Sequence, residues 1–561
     1  MIGALRARWE RVTTLVRVGV RSKVVYNLTS QGTVAAIKSL SRKTSNPSDI
    51  YRIWGANSPT KRALVCRGRT LTFGELDKRI DELAAGLRTL GVARGKSVVL
   101  LTRNSVEFVE VQLACTRLSA SCVSVSWRST ARELRYFLEH SGAMAIVFEE
   151  EFEGVVREAI AQDFPALSRI RIPSNLSRAS TDASTSAVAS GEAGTLSYPT
   201  LFHDASTFVT DDGEGAVVVY TSGTTGKPKG AVRKFSRNSL IAALQLLSTT
   251  PMAHDDIHLV VCPMYHTTAY GFLGLTHLLG GTAVIAEDFR PETFLAQVEE
   301  HQVTTVAMVP TMLHRLMRHP DPAMREKLRS LRTIVTTGSP LTAALAKEVS
   351  ETLGPIVYNI YGSTETGAVT LATPSDLAEA PGTIGRAVPG CEIRLLKEDG
   401  SLAKAGEIGE LYAKNHLVVT GYHNDSSATN ACVREGFFSV GDLATFDREG
   451  RYFIAGRKHD MIISGGVNVY PVEIEAVLEQ HPSILEAAIV GVDHPEWGES
   501  VRAFVVMRSD HVFDQEALRI FAREHLSGPK MPREFIVLET LPRNPTGKIL
   551  KRELRAHMSG P

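Results

Sequence analysis

The sequence predicts an α/β protein, with a large N-terminal domain of layered α/β sheets carrying a β-rich subdomain and a small α+β domain behind it. Three observations predict this. Short apolar runs alternate with stretches of helical spacing through most of the chain, as in parallel sheets flanked by helices. From Gly382 the texture changes to short strands broken by glycine turns, as over Gly406 to Tyr412. The final segment then has a strand and helix pattern of its own, following a single connection.

The strand-like runs are Ser97 to Leu101, Ala145 to Phe148, Ile257 to Cys262, Thr282 to Ala286, Thr304 to Val309 and Thr333 to Thr336. Between them Phe108 to Leu118, Arg132 to Glu139, Pro291 to His301 and Ala343 to Leu353 carry apolar residues at helical steps. Residues 174–194 are rich in Ser, Ala, Thr and Gly without periodicity and read as a flexible excursion. In the last segment Pro471 to Leu478 opens a helix with proline near its start. Ile484 to Val492, Val501 to Met507 and Phe535 to Val537 read as strands, and Gln515 to Leu526 as a helix. The predicted boundaries are a 1–45 extension, a 46–456 N-terminal domain, a 457–460 hinge and a 461–561 C-terminal domain.

Composition narrows the function classes. With 561 residues the chain exceeds one core, and 43% hydrophobic with 22% charged residues is ordinary for a soluble protein. The net charge of +1 gives no global pull toward nucleic acid. Six scattered cysteines form no C-x-x-C pair, which points to a reducing compartment and buried thiols, and away from structural zinc. No stretch reaches the ~20 apolar residues needed to span a bilayer.

The charge is uneven. Residues 1–50 carry nine basic side chains against Glu10 and Asp49, a local +7. Ile2, Leu5, Trp9, Val12, Val16 and Val20 fall on one face of a helix. A basic amphipathic helix of this kind suits an anionic membrane surface. Two other readings stand beside it: the same face packed on the protein's own body, or a transit peptide.

Chemistry concentrates in four places. Tyr220-Thr221-Ser222-Gly223-Thr224-Thr225-Gly226-Lys227-Pro228-Lys229-Gly230 follows the apolar run Ala216 to Val219. A glycine-rich turn with hydroxyls and lysines suits a polyphosphate, because concave arrays of N–H groups bind anions. Two residues between Gly223 and Gly226, and Pro228 after Lys227, exclude the Walker pattern. Tyr361-Gly362-Ser363-Thr364-Glu365 offers an aromatic face for stacking, hydroxyls for a phosphate and a carboxylate for Mg2+. Alone, it also reads as a helix cap. Asp442 suits two vicinal hydroxyls, and Arg457 begins a basic stretch ahead of Ser464-Gly465-Gly466. Lys548 sits in Pro545-Thr546-Gly547-Lys548, a loop that would otherwise read as a solvated lysine.

Together and in this order, these motifs resemble those of the adenylate-forming enzymes, the superfamily of acyl-CoA synthetases, over roughly residues 45 to 555. Leu71-Thr72-Phe73-Gly74-Glu75-Leu76 is similar to that family's opening. The resemblance, nearest to bacterial fatty-acid CoA ligases, implies ATP, Mg2+ and coenzyme A, and a mobile C-terminal domain. It implies that Thr221 to Lys227 hold phosphates, Tyr361 lies on adenine, Thr364 meets the α-phosphate, Glu365 holds the metal, Asp442 and Arg457 meet the ribose, and Lys548 is catalytic. It implies that Thr337, Gly338 and Ser339 flank adenine and the acyl chain, that His266 gates an acyl pocket with Tyr270 and Gly271, and that Ser464, Gly465 and Gly466 border the CoA tunnel. At the hinge, where members carry Asp or Lys, this chain has His459. No Asp accompanies His266 to pair an amino group, which argues against amino acids, and a membrane-seeking N-terminal helix that could deliver an insoluble substrate favours a lipid-like acid. The expected activity is a fatty acyl-CoA synthetase, acting in the cytoplasm or on the inner membrane face. A fatty acyl-AMP ligase serving a carrier protein, a luciferase-like oxidative enzyme and a non-catalytic lipid-binding relative are the alternatives.

Overall fold

The computed structural model describes residues 14, 16–42, 46–160, 163–174, 194–213, 215–221, 228–234, 236–465, 467–508, 511–526, 528–543 and 549–556. Two large sheets form its body. The first has eight strands in the order Gly421–Tyr422, Lys229–Lys234, Ala216–Thr221, Ser121–Ser124, Ser97–Leu101, Ala143–Glu149, Ser168–Ile172 and Thr195–Ser197. From Ala216–Thr221 onward its neighbours pair in parallel. The second has nine strands, and its six central ones, Val357–Ser363, Thr333–Thr336, Thr305–Met308, Ile257–Val260, Thr282–Ile285 and Arg62–Cys66, are also parallel. Parallel strands are covered on both faces, which explains why Ser97–Leu101 and Thr333–Thr336 are buried at every residue.

Helix Val106–Arg117 is buried at all twelve positions, so its polar groups must find partners inside. Arg79 Nε and Tyr198 Oη donate to the Glu110 carboxylate at 2.5 and 2.8 Å, and Arg117 reaches Asp77 and Asp81. Asn104, on the loop before this helix, ties the two sheets together. Its amide donates to the carbonyls of Cys262 and Ala286 at 3.0 and 2.9 Å and accepts the Met264 N–H at 2.7 Å.

A third, antiparallel sheet contains Glu392–Leu396, Gly409–Lys414, Asp442–Phe446 and Tyr452–Arg457, where glycine-rich texture predicts a β-rich part. A fourth joins Ile462–Ser464, Val467–Val469, Ile484–His494, Gly498–Met507 and Glu534–Val537. Helices Pro471–Leu478 and Gln515–His525 cover it, with Ile474, Leu478, Ile489, Ala503 and Leu518 at its core. Four of the cysteines are buried, and burial pushes the Cys66 thiol up to about 12.

In the N-terminal extension the predicted stripe is described only in part. Ile2, Leu5, Trp9 and Val12 lie outside the described residues, as does most of the predicted excursion, residues 175–193. Residues 16–21 are helical, but Val18 is the buried position, at 2% exposure, while Val16 and Val20 face outward. The body therefore receives the face opposite the predicted stripe. Three of the basic residues have structural partners: Arg21 donates to the Ser248 carbonyl at 2.9 Å and to those of Leu247 and Thr250, Lys23 pairs with Asp255 at 2.7 Å, and Arg42 with Asp49 at 3.0 Å. The following helix, Ser30–Ser41, leaves Val34, Ile37 and Leu40 exposed. Among the described residues no helix is long and apolar enough to cross a membrane.

Candidate functional site

Four structural junctions converge on one cavity of about 1190 Å³, larger than a single small-molecule pocket needs. At the first, Ala216–Thr221 and Lys229–Lys234 pair antiparallel, with Thr221 opposite Lys229. The glycine-rich run thus joins two paired strands rather than a strand and a helix. Ser222, Gly223, Thr224, Thr225, Gly226 and Lys227 lie outside the described residues, and of Thr221 only the strand position is described.

The second junction is the hairpin from Val357–Ser363 into Gly367–Ala372. Gly362 is needed for its closeness: a Cβ there would sit 1.9 Å from the Gly367 carbonyl oxygen. Ser363 Oγ accepts the N–H groups of Glu365 and Thr366 at 3.1 Å, and this local cap turns Glu365 inward to 8% exposure. Tyr422 Oη donates to Glu365 Oε1 at 3.2 Å. Strand Gly421–Tyr422 makes this possible by pairing with Lys229–Lys234, which also sets Lys229 Nζ 5.1 Å from the Tyr422 ring centre. Burial beside the Glu365 carboxylate raises the Tyr422 phenol. Arg233 completes the wall by donating to the Thr364 carbonyl at 2.8 Å, and desolvation pushes its guanidinium down to about 10.

The third junction comes from register. Asp442–Phe446 and Tyr452–Arg457 pair antiparallel with Asp442 directly opposite Arg457. Arg457 Nε donates to Asp442 Oδ1 at 2.9 Å, and Tyr361 Oη donates to Oδ2 at 2.7 Å. Three sequence-predicted residues from separate motifs therefore form one hydrogen-bonded cluster. Each carboxylate oxygen retains further acceptor capacity.

The fourth junction is the start of helix Thr267–Leu278. Asn104 fixes Met264, the His266 N–H donates to the Pro263 carbonyl at 3.0 Å, and His266 stands at the helix N-cap. Its ring leans on Tyr265 at 4.3 Å between centroids. His266 Nε2 is buried with no partner among the described residues, and burial lowers the imidazole to about 4, so it is neutral at pH 7. Past it, Tyr270, Gly271, Gly274, Leu275 and Leu278 line the cavity. Glycine inside a helix costs roughly 1 kcal/mol relative to alanine. No packed neighbour demands it here, since a Cβ on Gly271 or Gly274 would meet nothing within 4 Å. The missing side chains leave open space.

Thr337 and Gly338 line the cavity, with Gly338 at φ +87°, whereas the Ser339 hydroxyl is buried beside it without a partner among the described residues. Arg457, Lys458 and His459 reach the cavity from the connection between the sheets. His459 occupies a single 3-10 turn, Lys458–Asp460, without positive φ, so no unusual backbone angle favours histidine there. Lys458 pairs with Glu410 at 3.0 Å, and Asp460 with Arg555 at 3.0 Å. Ser464 and Gly465 are not on the cavity wall: Ser464 pairs with Val467 and Gly498 within the small sheet. Gly466 and Lys548 lie outside the described residues. Tyr422 and Arg233 are the site residues that the sequence reading missed. Tyr422 sits in a two-residue strand with no periodicity to announce it, and Arg233 lies beside Lys234 in a strand that also begins with Lys229, so its charge does not stand out.

Two family models match this chain: AMP-binding enzyme over residues 51–423, and AMP-binding enzyme C-terminal domain over residues 473–548. A feruloyl-CoA synthase of Amycolatopsis sp is 33% identical over 500 residues, 89% of this chain and 96% of that protein. A fatty acid–[acyl-carrier-protein] ligase of Streptomyces coeruleorubidus is 32% identical over 512 residues, 90% of this chain and 95% of that one. Among solved structures, an o-succinylbenzoate CoA synthetase from Bacillus subtilis, in complex with its acyl-adenylate intermediate, is similar at a TM-score of 0.77 and 28% identity. That match covers 91% of this chain and 98% of the other. ATP-bound MatB from Rhodopseudomonas palustris has a TM-score of 0.81 at 29% identity, covering 91% and 99%.

Proposed function

This chain belongs to the AMP-binding enzymes, and from that premise we propose that it is an ATP-dependent ligase joining a medium- or long-chain fatty acid to coenzyme A. An acid–thiol ligase that uses ATP and works through an acyl-adenylate is what family membership supports. The fatty acid is our reading. One observation carries it: a single cavity runs from the Glu365 and Arg457 end, past His266, into an apolar pocket floored by Gly271 and Gly274.

In the first half-reaction a carboxylate oxygen of the acid attacks the α-phosphorus of ATP, and the bond to pyrophosphate breaks, giving acyl-AMP. The Thr221 to Lys227 loop holds the departing phosphates, Tyr361 faces adenine, Asp442 and Arg457 hold the ribose, and Thr364 meets the α-phosphate. Lys548 brings a mobile positive charge to the developing negative charge. Glu365 has the chemistry for Mg2+, an inward carboxylate on the cavity wall, and such ions commonly take one protein carboxylate together with substrate phosphates. When bound, the ion offsets phosphate charge. In the second half-reaction the CoA sulfur attacks the acyl carbonyl and AMP leaves. Ser464, Gly465 and Gly466 must then turn toward the cavity about His459, a gating motion. The neutral His266 stands where acid and thiol meet.

Incubating the whole chain with ATP, Mg2+, CoA and acids from acetate to hexadecanoate, with ferulate as the aromatic control, tests the reading. AMP and thioester should appear together, fastest with the fatty acids. ADP as product, or ferulate as the best acid, would refute it. The second reading, transfer to a carrier protein, is favoured by the relative named as an acyl-carrier-protein ligase. It predicts acyl-AMP that accumulates in the presence of CoA. Peripheral contact with anionic membrane through residues 1–25, from the cytoplasmic side, is the accompanying proposal. Val16 and Val20 are exposed beside Arg17 in the described part. Sedimentation with phosphatidylglycerol vesicles that fails even at low salt would exclude it.

A further inference from the structure

The cavity does not end within the part of the chain that matches the AMP-binding enzyme model. Past Gly274 it is walled by Leu240, Ala243 and Leu244 of helix Arg237–Leu247, and then by Val18, Val25 and Leu40 of the N-terminal extension. Val25 and Leu40 are 49% and 59% exposed while lining the same cavity, so the cavity reaches solvent at the extension. These side chains are hydrocarbon, and Ser22, Ser39 and Arg237 stand among them on the same wall. We propose that the extension is the far wall and mouth of the acyl channel. The chain of a long aliphatic acid runs from His266 along Gly271 and Gly274 and emerges between Val25 and Leu40. This rests on the ligase reading above and assigns its substrate class, an unbranched acid longer than the pocket around Tyr270 can enclose.

The extension is built as a wall. Val18 packs into the cluster containing Leu246, Phe272, Leu275 and Leu279, residues of the two channel helices and their ends. Arg21 donates to the last carbonyls of one of those helices, and Arg237 of that helix donates back to the Leu40 carbonyl at 2.8 Å. Asn57 fastens the turn between, accepting the Thr29 N–H at 2.7 Å and donating to the Asn27 carbonyl at 2.9 Å. These hydrogen bonds, part-buried or exposed, hold the segment against the body at both ends of the helix. The open space at Gly271 and Gly274 lies on the helix stripe that also carries Leu275 and Leu278, which gives the channel a continuous floor.

The test is to fill the floor. Gly274→Leu places a side chain where nothing lies within 4 Å, and leucine favours the helix, so the variant should fold. The fluorescent C18 acid cis-parinarate is titrated into the whole chain, giving a binding readout that requires no turnover. Wild type should bind it, and hexadecanoate should displace it far better than octanoate. Gly274→Leu should weaken binding at least tenfold. The paired substitution of Val25 and Leu40 by aspartate, at the mouth, should weaken it by a similar factor. With CoA and ATP, the ratio of hexadecanoate to octanoate thioester formation should fall at least tenfold in the paired mouth variant. Equal parinarate binding by wild type and both variants, or equal loss of octanoate and hexadecanoate turnover, would overturn the channel. Absent turnover with intact, variant-sensitive parinarate binding would instead strike the ligase reading and leave the channel standing.

Discussion

The two ends of the cavity are built by different means. At the end we propose for the nucleotide, position comes from hydrogen-bond registers: Asp442 lies opposite Arg457 because two strands pair, and Glu365 turns inward because Ser363 caps its own hairpin. At the end we propose for the acyl chain, position comes from the side chains that two helix glycines lack, and from a segment fastened on from the N-terminus. Polar chemistry needs particular residues at particular spacings, whereas a hydrocarbon channel needs only volume and apolar walls. The first end should therefore fail sharply when single groups are removed, and the second gradually, as length is taken away.

The largest break is expected at Lys548→Ala, which should lower adenylation about 10²–10³-fold, the scale seen when one charge-stabilising donor is lost. Thioester formation from supplied acyl-AMP should fall far less, and rapid-quench assays of each half-reaction would separate the two. Equal losses would erase the division of labour. Next, Asp442→Ala strands Arg457 and Tyr361 as well as the ribose hydroxyls. It should raise the KM for ATP about ten- to hundredfold, as removing a charged hydrogen-bond partner costs about 1.5–3 kcal/mol. An unchanged KM would remove Asp442 from the nucleotide site. Glu365→Gln should raise the Mg2+ concentration needed for half-maximal rate by a similar factor, measured by magnesium titration. Tyr422→Phe keeps the ring and loses one hydrogen bond to Glu365, so a two- to fivefold shift in the same titration is expected.

The smallest effect concerns pH. Burial holds His258 at about 3 and His266 and His277 at about 4, below the ~6.5 of a free imidazole. The unfolded chain binds these protons first, so their contribution to stability is complete above pH 6.5 and is lost as pH falls toward 4. The melting temperature should drop on acidification through that window, and His266→Phe should flatten the slope. A melting temperature that rises on acidification would reverse the sign and contradict the burial of neutral rings.

Much of the fold was legible because parallel strands are continuous apolar runs. Ser97–Leu101, Thr333–Thr336, Pro291–His301, Ala343–Leu353 and Pro471–Leu478 form where periodicity places them. Motif order also pointed to Tyr361, Asp442 and Arg457, and the structure brings these three side chains together, with Arg457 on the cavity wall. Tyr422 was hidden because a two-residue strand is defined by its neighbour rather than by its own sequence. The N-terminal helix shows a related limit. Period fixes which residues share a face, but Val18 and Ser22, a small residue beside a valine, show that the buried face is chosen by the surface it meets. The proposed acyl channel was least legible, since empty space has no residue to mark it.

The account stands or falls on one chemical division, that the acid meets ATP before the thiol is required. Exchange of labelled pyrophosphate into ATP measures this most directly. The account predicts exchange that is absent without acid, present with hexadecanoate alone, and independent of CoA, with AMP and thioester released in equal amounts once CoA is added. Exchange that needs CoA, or that proceeds without any acid, would contradict it.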